Sequence, residues 1–254
     1  MQKYRSAAAV LSVASLIGCA TTAPAPQPSQ QPPQAEVPAP PAEWGQVFAS
    51  GNAQLALEER GATMVSGKRA MSYGFVASGY PTDKTYFTWL RMLSGQTILL
   101  DTLRADASGV LVTERGAPLA KQTFNLYGLY RGEAVDVALV SQDQSVRAFS
   151  RVVPFPLEAR DKGCALVIEM ATAGGKQFAV RGGGFQPKEE IVTTLRIDDQ
   201  AKTQKQPASS TGSFVDVVDT TQATRAGGTA SYQAAGKRCK VSLGHEWGNA
   251  SKKQ

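Results

Sequence analysis

A stretch of about two dozen residues occurs twice in this chain, and the second copy follows the first at a constant offset without a gap. Ala70–Met92, AMSYGFVASGYPTDKTYFTWLRM, lies over residues 175–197, GKQFAVRGGGFQPKEEIVTTLRI. Phe75 meets Val180, Gly79 meets Gly184, Tyr80 meets Phe185, Tyr86 meets Ile191, and Leu90-Arg91 meets Leu195-Arg196. Beyond that block, Ala105–Gly109 and Ser209–Gly212 each place a small polar turn with glycine at its corner before a new apolar alternation. Later, Arg131-Gly132-Glu133 leads into AVDVALV, and Arg225-Ala226-Gly227-Gly228 into TASYQA. The fold is thereby confined to two copies of one unit of roughly 100 residues, a common domain size.

Each copy reads as strands. Thr85, Phe87 and Trp89 alternate with Tyr86, Thr88 and Leu90, and Ile98–Leu100, Val110–Val112 and Val135–Val140 follow between Gly, Asp, Ser and Pro breaks. In the second copy Cys164–Ile168, Phe178–Val180, Glu190–Leu195 and Phe214–Val218 repeat the pattern. Helical periodicity is scarce. Gln54–Arg60 (QLALEER) reads as a helical turn or two, or as a strand ahead of the first unit. The expected class is all-β, with VVPFPLEARDKG (152–163) as the joint, its Pro154 and Pro156 ending the last strand of the first copy and restricting the hinge.

The N-terminus carries an address. Lys3 and Arg5 precede an apolar run from Ala7 to Ile17, which ends in Leu16-Ile17-Gly18-Cys19. A run of that length is too short for a permanent span, which takes about 20 apolar residues, and suits the h-region of a cleaved signal peptide. Leu-Ile-Gly-Cys at its end resembles the lipobox of bacterial lipoproteins. That resemblance implies cleavage after residue 18 and lipidation of Cys19, with the acyl chains as a membrane anchor. Ala20 after Cys19 implies sorting to the outer membrane, facing the periplasm or the cell surface.

Residues 19–43 then hold Pro24, Pro26, Pro28, Pro32, Pro33, Pro38, Pro40 and Pro41, more than half of the chain's 14 prolines. Fixed φ angles and missing donors predict a disordered, polyproline-like tether reaching up to about 70 Å.

The formal charge of +6 loses two units with Lys3 and Arg5. So mild an excess in an exported chain argues against a nucleic-acid partner. The cluster Lys237, Arg238, Lys240, Lys252 and Lys253 would rather meet anionic envelope polymers, weakly.

The order of motifs also resembles the Ig-like β-sandwich modules of bacterial envelope and surface proteins. It rests on Gly79-Tyr80-Pro81, Ala105–Gly109 and Gly132-Glu133 in the first copy, and on Gly184-Phe185-Gln186-Pro187, Ser209–Gly212 and Gly227-Gly228 in the second. The implied architecture is two tandem Ig-like β-sandwiches, 44–157 with an N-terminal extension and 158–248, followed by a disordered tail at 249–254. Such modules bind, space or stiffen and seldom catalyse. Within the second module, Cys164 and Cys239 are left as a pair once Cys19 is lipidated. In an Ig-like sandwich the first and last strands can lie side by side, so a disulfide is expected there; two buried free thiols are the alternative, which an oxidising compartment disfavours.

Catalytic motifs are missing. His245 is the single histidine, so a zinc site would lack ligands, and no serine sits in a nucleophile elbow. His245 is expected to end the last strand, with Trp247 packed against the sandwich edge. Asp198, Asp199, Asp216 and Asp219 lack the spacing of a calcium loop and read as solvated carboxylates. No cofactor or metal is therefore expected. Exposed members of the aromatic group around Tyr80, Tyr86 and Trp89 are the candidate partner-binding face. The expected protein is a non-enzymatic outer-membrane lipoprotein, a binding or structural adaptor for another envelope component, with an envelope protein as the expected partner. A glycan- or ligand-binding, less readily hydrolytic, envelope protein is the alternative, and a concave pocket with convergent polar groups near His245 would favour it.

Overall fold

In the computed structural model, which describes residues 38–254, the repeat becomes two β-sandwiches of matching topology. The first holds β1 (Gln54–Val65), β2 (Lys68–Ser78), β3 (Thr85–Met92), β4 (Thr97–Ala105), β5 (Leu111–Thr113), β6 (Thr123–Tyr127), β7 (Val135–Ser141) and β8 (Arg147–Val152). The second holds β9 (Leu157–Asp161), β10 (Cys164–Met170), β11 (Gln177–Gly183), β12 (Glu190–Ile197), β13 (Gln200–Pro207), β14 (Phe214–Asp219), β15 (Gly227–Ala235) and β16 (Lys240–Gly248). Residues 1–37, on which the expected signal peptide, the lipidation of Cys19 and most of the expected tether fall, lie outside the described residues.

The first sandwich faces β1-β2-β6 against β5-β4-β3-β7-β8, and the second faces β9-β10-β11-β14 against β13-β12-β15-β16. With β5 and β9 set aside as additions at sheet edges, the two orders superpose strand for strand: β1-β2-β6 on β10-β11-β14, and β4-β3-β7-β8 on β13-β12-β15-β16. All pairings between these strands are antiparallel. This is a tandem of Ig-like sandwiches, all-β as the alternation predicts. Gln54–Arg60 is strand, the extended one of its two readings.

The matched glycines hold the same strained place. Gly79 and Gly184 have φ of 78° and 82°, and a Cβ on either would overlap a backbone carbonyl, of Asn52 or of Gly163. The matched turns also share a hydrogen-bond pattern. In the first copy the Asp106 carboxylate accepts from the backbone of Ser108 and Val110; in the second the Ser209 hydroxyl accepts from Thr211 and Ser213. A short polar side chain satisfies the turn's amides in both.

Each sandwich has its own core. Tyr86, Leu103, Val135 and Leu139 are central to the first, and Leu166, Phe178, Ile191, Tyr232 and Trp247 to the second. The boundary falls one residue earlier than expected, because Leu157 is buried in the second core, and the second sandwich opens with β9 rather than with the strand of Cys164. The Cys164–Cys239 bridge forms, with Cα atoms 6.2 Å apart. It ties β10 in one sheet to the entry of β16 in the other, whereas side-by-side strands were expected.

The joint is stitched by residues from both copies. Gly132, with φ of 79°, donates its N–H to Phe155 O and accepts from Met170 N–H, both at 2.8 Å. A Cβ there would come within 3.0 Å of Leu157 Cδ1 and 3.2 Å of Ile168 O. Leu93 and Tyr130 of the first sandwich pack against the second core. Across the outer faces, Arg91 pairs with Asp136 at 2.7 Å, Asp136 with Arg151 at 3.5 Å, and Arg151 with Glu169 of the second sandwich.

Residues 249–254, expected as a disordered tail, belong to this joint. Gln254 N–H donates to Leu129 O and Gly128 N–H to Gln254 O, both at 2.9 Å, while the Lys253 ammonium lies 5.3 Å from the centre of the Tyr130 ring. The expectation failed because a short, polar, basic segment carries no periodicity of its own; its order comes from backbone bonds to both sandwiches, Asn249 to Ala226 in the second and Gln254 to Gly128 and Leu129 in the first.

Candidate functional site

The aromatic face expected at Tyr80, Tyr86 and Trp89 does not exist as a surface. Tyr86 and Tyr80 point into the first core and pack edge to face, with centroids 5.2 Å apart. Phe87 and Trp89, on the other side of β3, are covered from outside by Trp44 and Phe48. Their exposures are 8% and 5%. Trp44 is held there by its indole N–H, which donates to Pro41 O at 2.8 Å, and by the Arg91 guanidinium, 4.8 Å from the ring centre. Alternation along β3 correctly marks two faces, but a segment some 40 residues upstream buries the outer one.

The basic cluster is also divided. Lys237, Arg238 and Lys240 lie at one end of β16 and Lys252 and Lys253 beyond the other, separated by about 25 Å of extended chain. The acidic residues are dispersed likewise. Asp198 faces Arg225 at 3.8 Å, Asp216 accepts from Tyr232 Oη and Gln204 Nε2, and Asp219 accepts from Gln177 Nε2 at 3.1 Å. Among the described residues no three His, Cys, Asp or Glu side chains converge as a metal group would require.

The one constellation that sequence reasoning pointed towards and the fold assembles is around His245. The residue lies in the interior of β16, paired with Ala230 of β15, and its alternation with Glu246 turns it inward. It is only 6% exposed, buried rather than ending a strand at the surface, and Trp247 beside it is wholly buried in the core. Neither ring nitrogen has a hydrogen-bond partner within the protein. Burial pushes the imidazole pKa down to about 4, so the ring is neutral at physiological pH.

His245 borders a concave cleft of about 610 Å³. Arg196 of β12, Ser231 of β15 and Gly244 of β16 form one outward row across the sheet by register, and all three line the cleft. Arg131 enters from the first sandwich and Lys252 from the C-terminal segment. A second cavity of about 540 Å³ adjoins it, sharing Arg131 and Gln254, and reaches Glu59, Arg69 and Phe155. The Arg69 guanidinium lies 6.0 Å from the Phe155 ring centre. Arg131 and Arg196 had no signal in the sequence: they are 65 positions apart and meet only because the joint folds back on β16.

The arrangement offers exposed cationic donors and hydroxyls over a concave floor, which suits holding a polar ligand. Among the described residues no helix is long and apolar enough to cross a membrane.

Fold and cleft together define a two-module Ig-like β-sandwich protein with a polar cleft at its joint. No family model and no curated protein matches the chain. Among solved structures it is similar to a tetra-tandem repeat in the extending region of a large adhesion protein, at 12% identity and a TM-score of 0.26, over 77% of this chain and 49% of that one. The chain thus spans about half the length of that structure.

Proposed function

We propose that this is a non-enzymatic envelope protein, an outer-membrane lipoprotein anchored through Cys19, whose two sandwiches act as one rigid adaptor for another envelope protein. The observation that carries this reading is the stitched joint. Gly132 bonds to both sides of it, Glu169 pairs with Arg151 across it, and Gln254 returns to Leu129. Tandem modules free to swing would serve as a flexible string; modules held at several points transmit position. A lipid anchor and a proline-rich tether would set the distance of that body from the membrane.

Crosslinking and pull-down from native envelopes tests it, using the wild type and Cys19→Ser. The wild type fractionates with membranes, incorporates labelled fatty acid and recovers a discrete protein partner, whereas Cys19→Ser is released and unlabelled. Failure of both forms to recover a partner overturns the adaptor role, and unlabelled wild type overturns the anchor.

The cleft beside β16 favours a second reading, a ligand-binding envelope protein, because Arg131, Arg196 and Lys252 reach one concave space from three segments distant in sequence.

A further inference from the structure

Three cationic side chains converge on the cleft. Arg131, Arg196 and Lys252 reach it from three segments distant in sequence, and among the described residues none of the three is in an ion pair. On the acidic side, Asp198 is already opposed by Arg225 at 3.8 Å, which leaves Glu246 as the one side-chain carboxylate of the lining without a cationic partner among the described residues. The three cationic side chains are exposed, and without protein partners they repel one another to the extent that solvent leaves them unscreened. An anion bound between them relieves that repulsion.

The position of Arg131 is set by its neighbour. Gly132 is hydrogen-bonded to Phe155 and to Met170, so the backbone that carries Arg131 is pinned to both sandwiches. Arg196 is set by the pairing of β12 with β15, where it lies opposite Ser231. Guanidinium groups present forked donors that match the oxygens of phosphate or carboxylate, and a lysine adds a mobile point charge. His245, 6% exposed, lies under the cleft floor with its ring turned to Phe178, close enough to report on the cleft without contacting a ligand. The hydroxyls of Thr229 and Ser231 also line the cleft. They supply polar contacts that charge alone does not.

The lining further separates ligand classes. Its residues include no Phe, Tyr or Trp, so a neutral sugar would find no ring to stack on. A volume of about 610 Å³ accommodates a molecule the size of a sugar derivative.

We propose that the cleft beside β16 binds an oxyanion, phosphate or carboxylate, carried on a sugar-sized molecule, with Arg131, Arg196 and Lys252 as charge partners and the hydroxyls of Thr229 and Ser231 as hydrogen-bonding groups. This rests on the reading of the cleft as a ligand site and is independent of Cys19 or of any partner protein.

The test is titration of the full chain with glucose 6-phosphate, glucuronate and glucose, followed by calorimetry and by the ring resonances of His245, the single histidine of the chain. At least one anion binds saturably and shifts the His245 signals, with affinity falling as sodium chloride rises. Glucose 6-phosphate alone identifies a phosphate source, and glucuronate alone a carboxylate source. The double variant Arg131→Gln/Arg196→Gln weakens binding at least 10-fold, the loss of two charge-assisted contacts. Lys237→Gln, at the far end of β16, leaves it unchanged; a matched thermal transition in all variants shows that folding is intact. Glucose binding as tightly as the anions overturns the anion assignment while leaving the cleft a ligand site. Absence of binding by all three probes, or binding undiminished in the double variant, overturns the proposal.

Discussion

The imidazole of His245 packs edge to face on Phe178, with ring centroids 4.6 Å apart. That contact places a titratable ring in the apolar interior of the second sandwich, and it has a consequence for acid stability. The native ring resists protonation down to about pH 4, whereas the unfolded chain takes a proton near the ordinary value of about 6.5. The native state is therefore unpenalised above that value and loses stability as pH falls from about 6.5 towards 4, by about 3 kcal/mol at the bottom of the window. Urea unfolding of wild type and His245→Leu at pH 7 and pH 4.5 checks this. The variant is as stable as wild type or more so at pH 7, since it removes unpartnered buried nitrogens, and its advantage grows at pH 4.5. An advantage that stays constant with pH would refute the linkage.

The bridge between Cys164 and Cys239 closes a loop with a sequence separation of 75, worth about 4 kcal/mol in the chain-entropy model. Cys164→Ala/Cys239→Ala lowers the stability of the second sandwich by about that amount. Hydrogen exchange resolves where the loss falls: amides of β10 to β16 lose protection first, and those of β3 and β7 keep theirs.

Trp44 is the lid on the outer aromatic layer of the first sandwich. Trp44→Ala costs about 3 kcal/mol, in the range of large-to-small core changes, and uncovers Phe87, Trp89 and Phe149. Increased binding of an apolar dye and a concentration-dependent loss of solubility report that exposure. A variant with unchanged stability and dye binding would mean that Trp44 does not cover the layer in solution.

Removal of residues 252–254 deletes the contacts of Gln254 with Gly128 and Leu129 and of Lys253 with Tyr130. Exchange of the amides from Gly128 to Gly132 accelerates, and X-ray scattering records a broader distribution of overall dimensions. Strands distant from the joint, such as β4 and β13, remain as protected as before. Unaltered scattering and exchange would show that Gly132 and the Arg151–Glu169 pair hold the joint unaided.

Much of the architecture was legible in the chain because it depends on short-range rules. Gly79 and Gly184 mark one strained corner in each copy, and a glycine there is required by local backbone geometry. Asp106 and Ser209 stand at the heads of equivalent turns because each can accept from amides two and four residues on. The alternation in β3 and β12 announces strands for the same reason, since side chains change face at every residue. Burial of Phe87 and Trp89 is different in kind. It depends on Trp44, whose segment has no pattern that points to β3.

The amino-acid sequence by itself determined two copies of one β unit, the places of their strands and turns, and the two cysteines available for a bridge. Tertiary structure alone decided that the aromatic face is interior, that 249–254 closes the joint, and that Arg131, Arg196, Lys252 and His245 share one cleft. The physical reason is range. Periodicity and turn chemistry act between residues a few positions apart, while cover and charge convergence are set by which distant segments pack over one another.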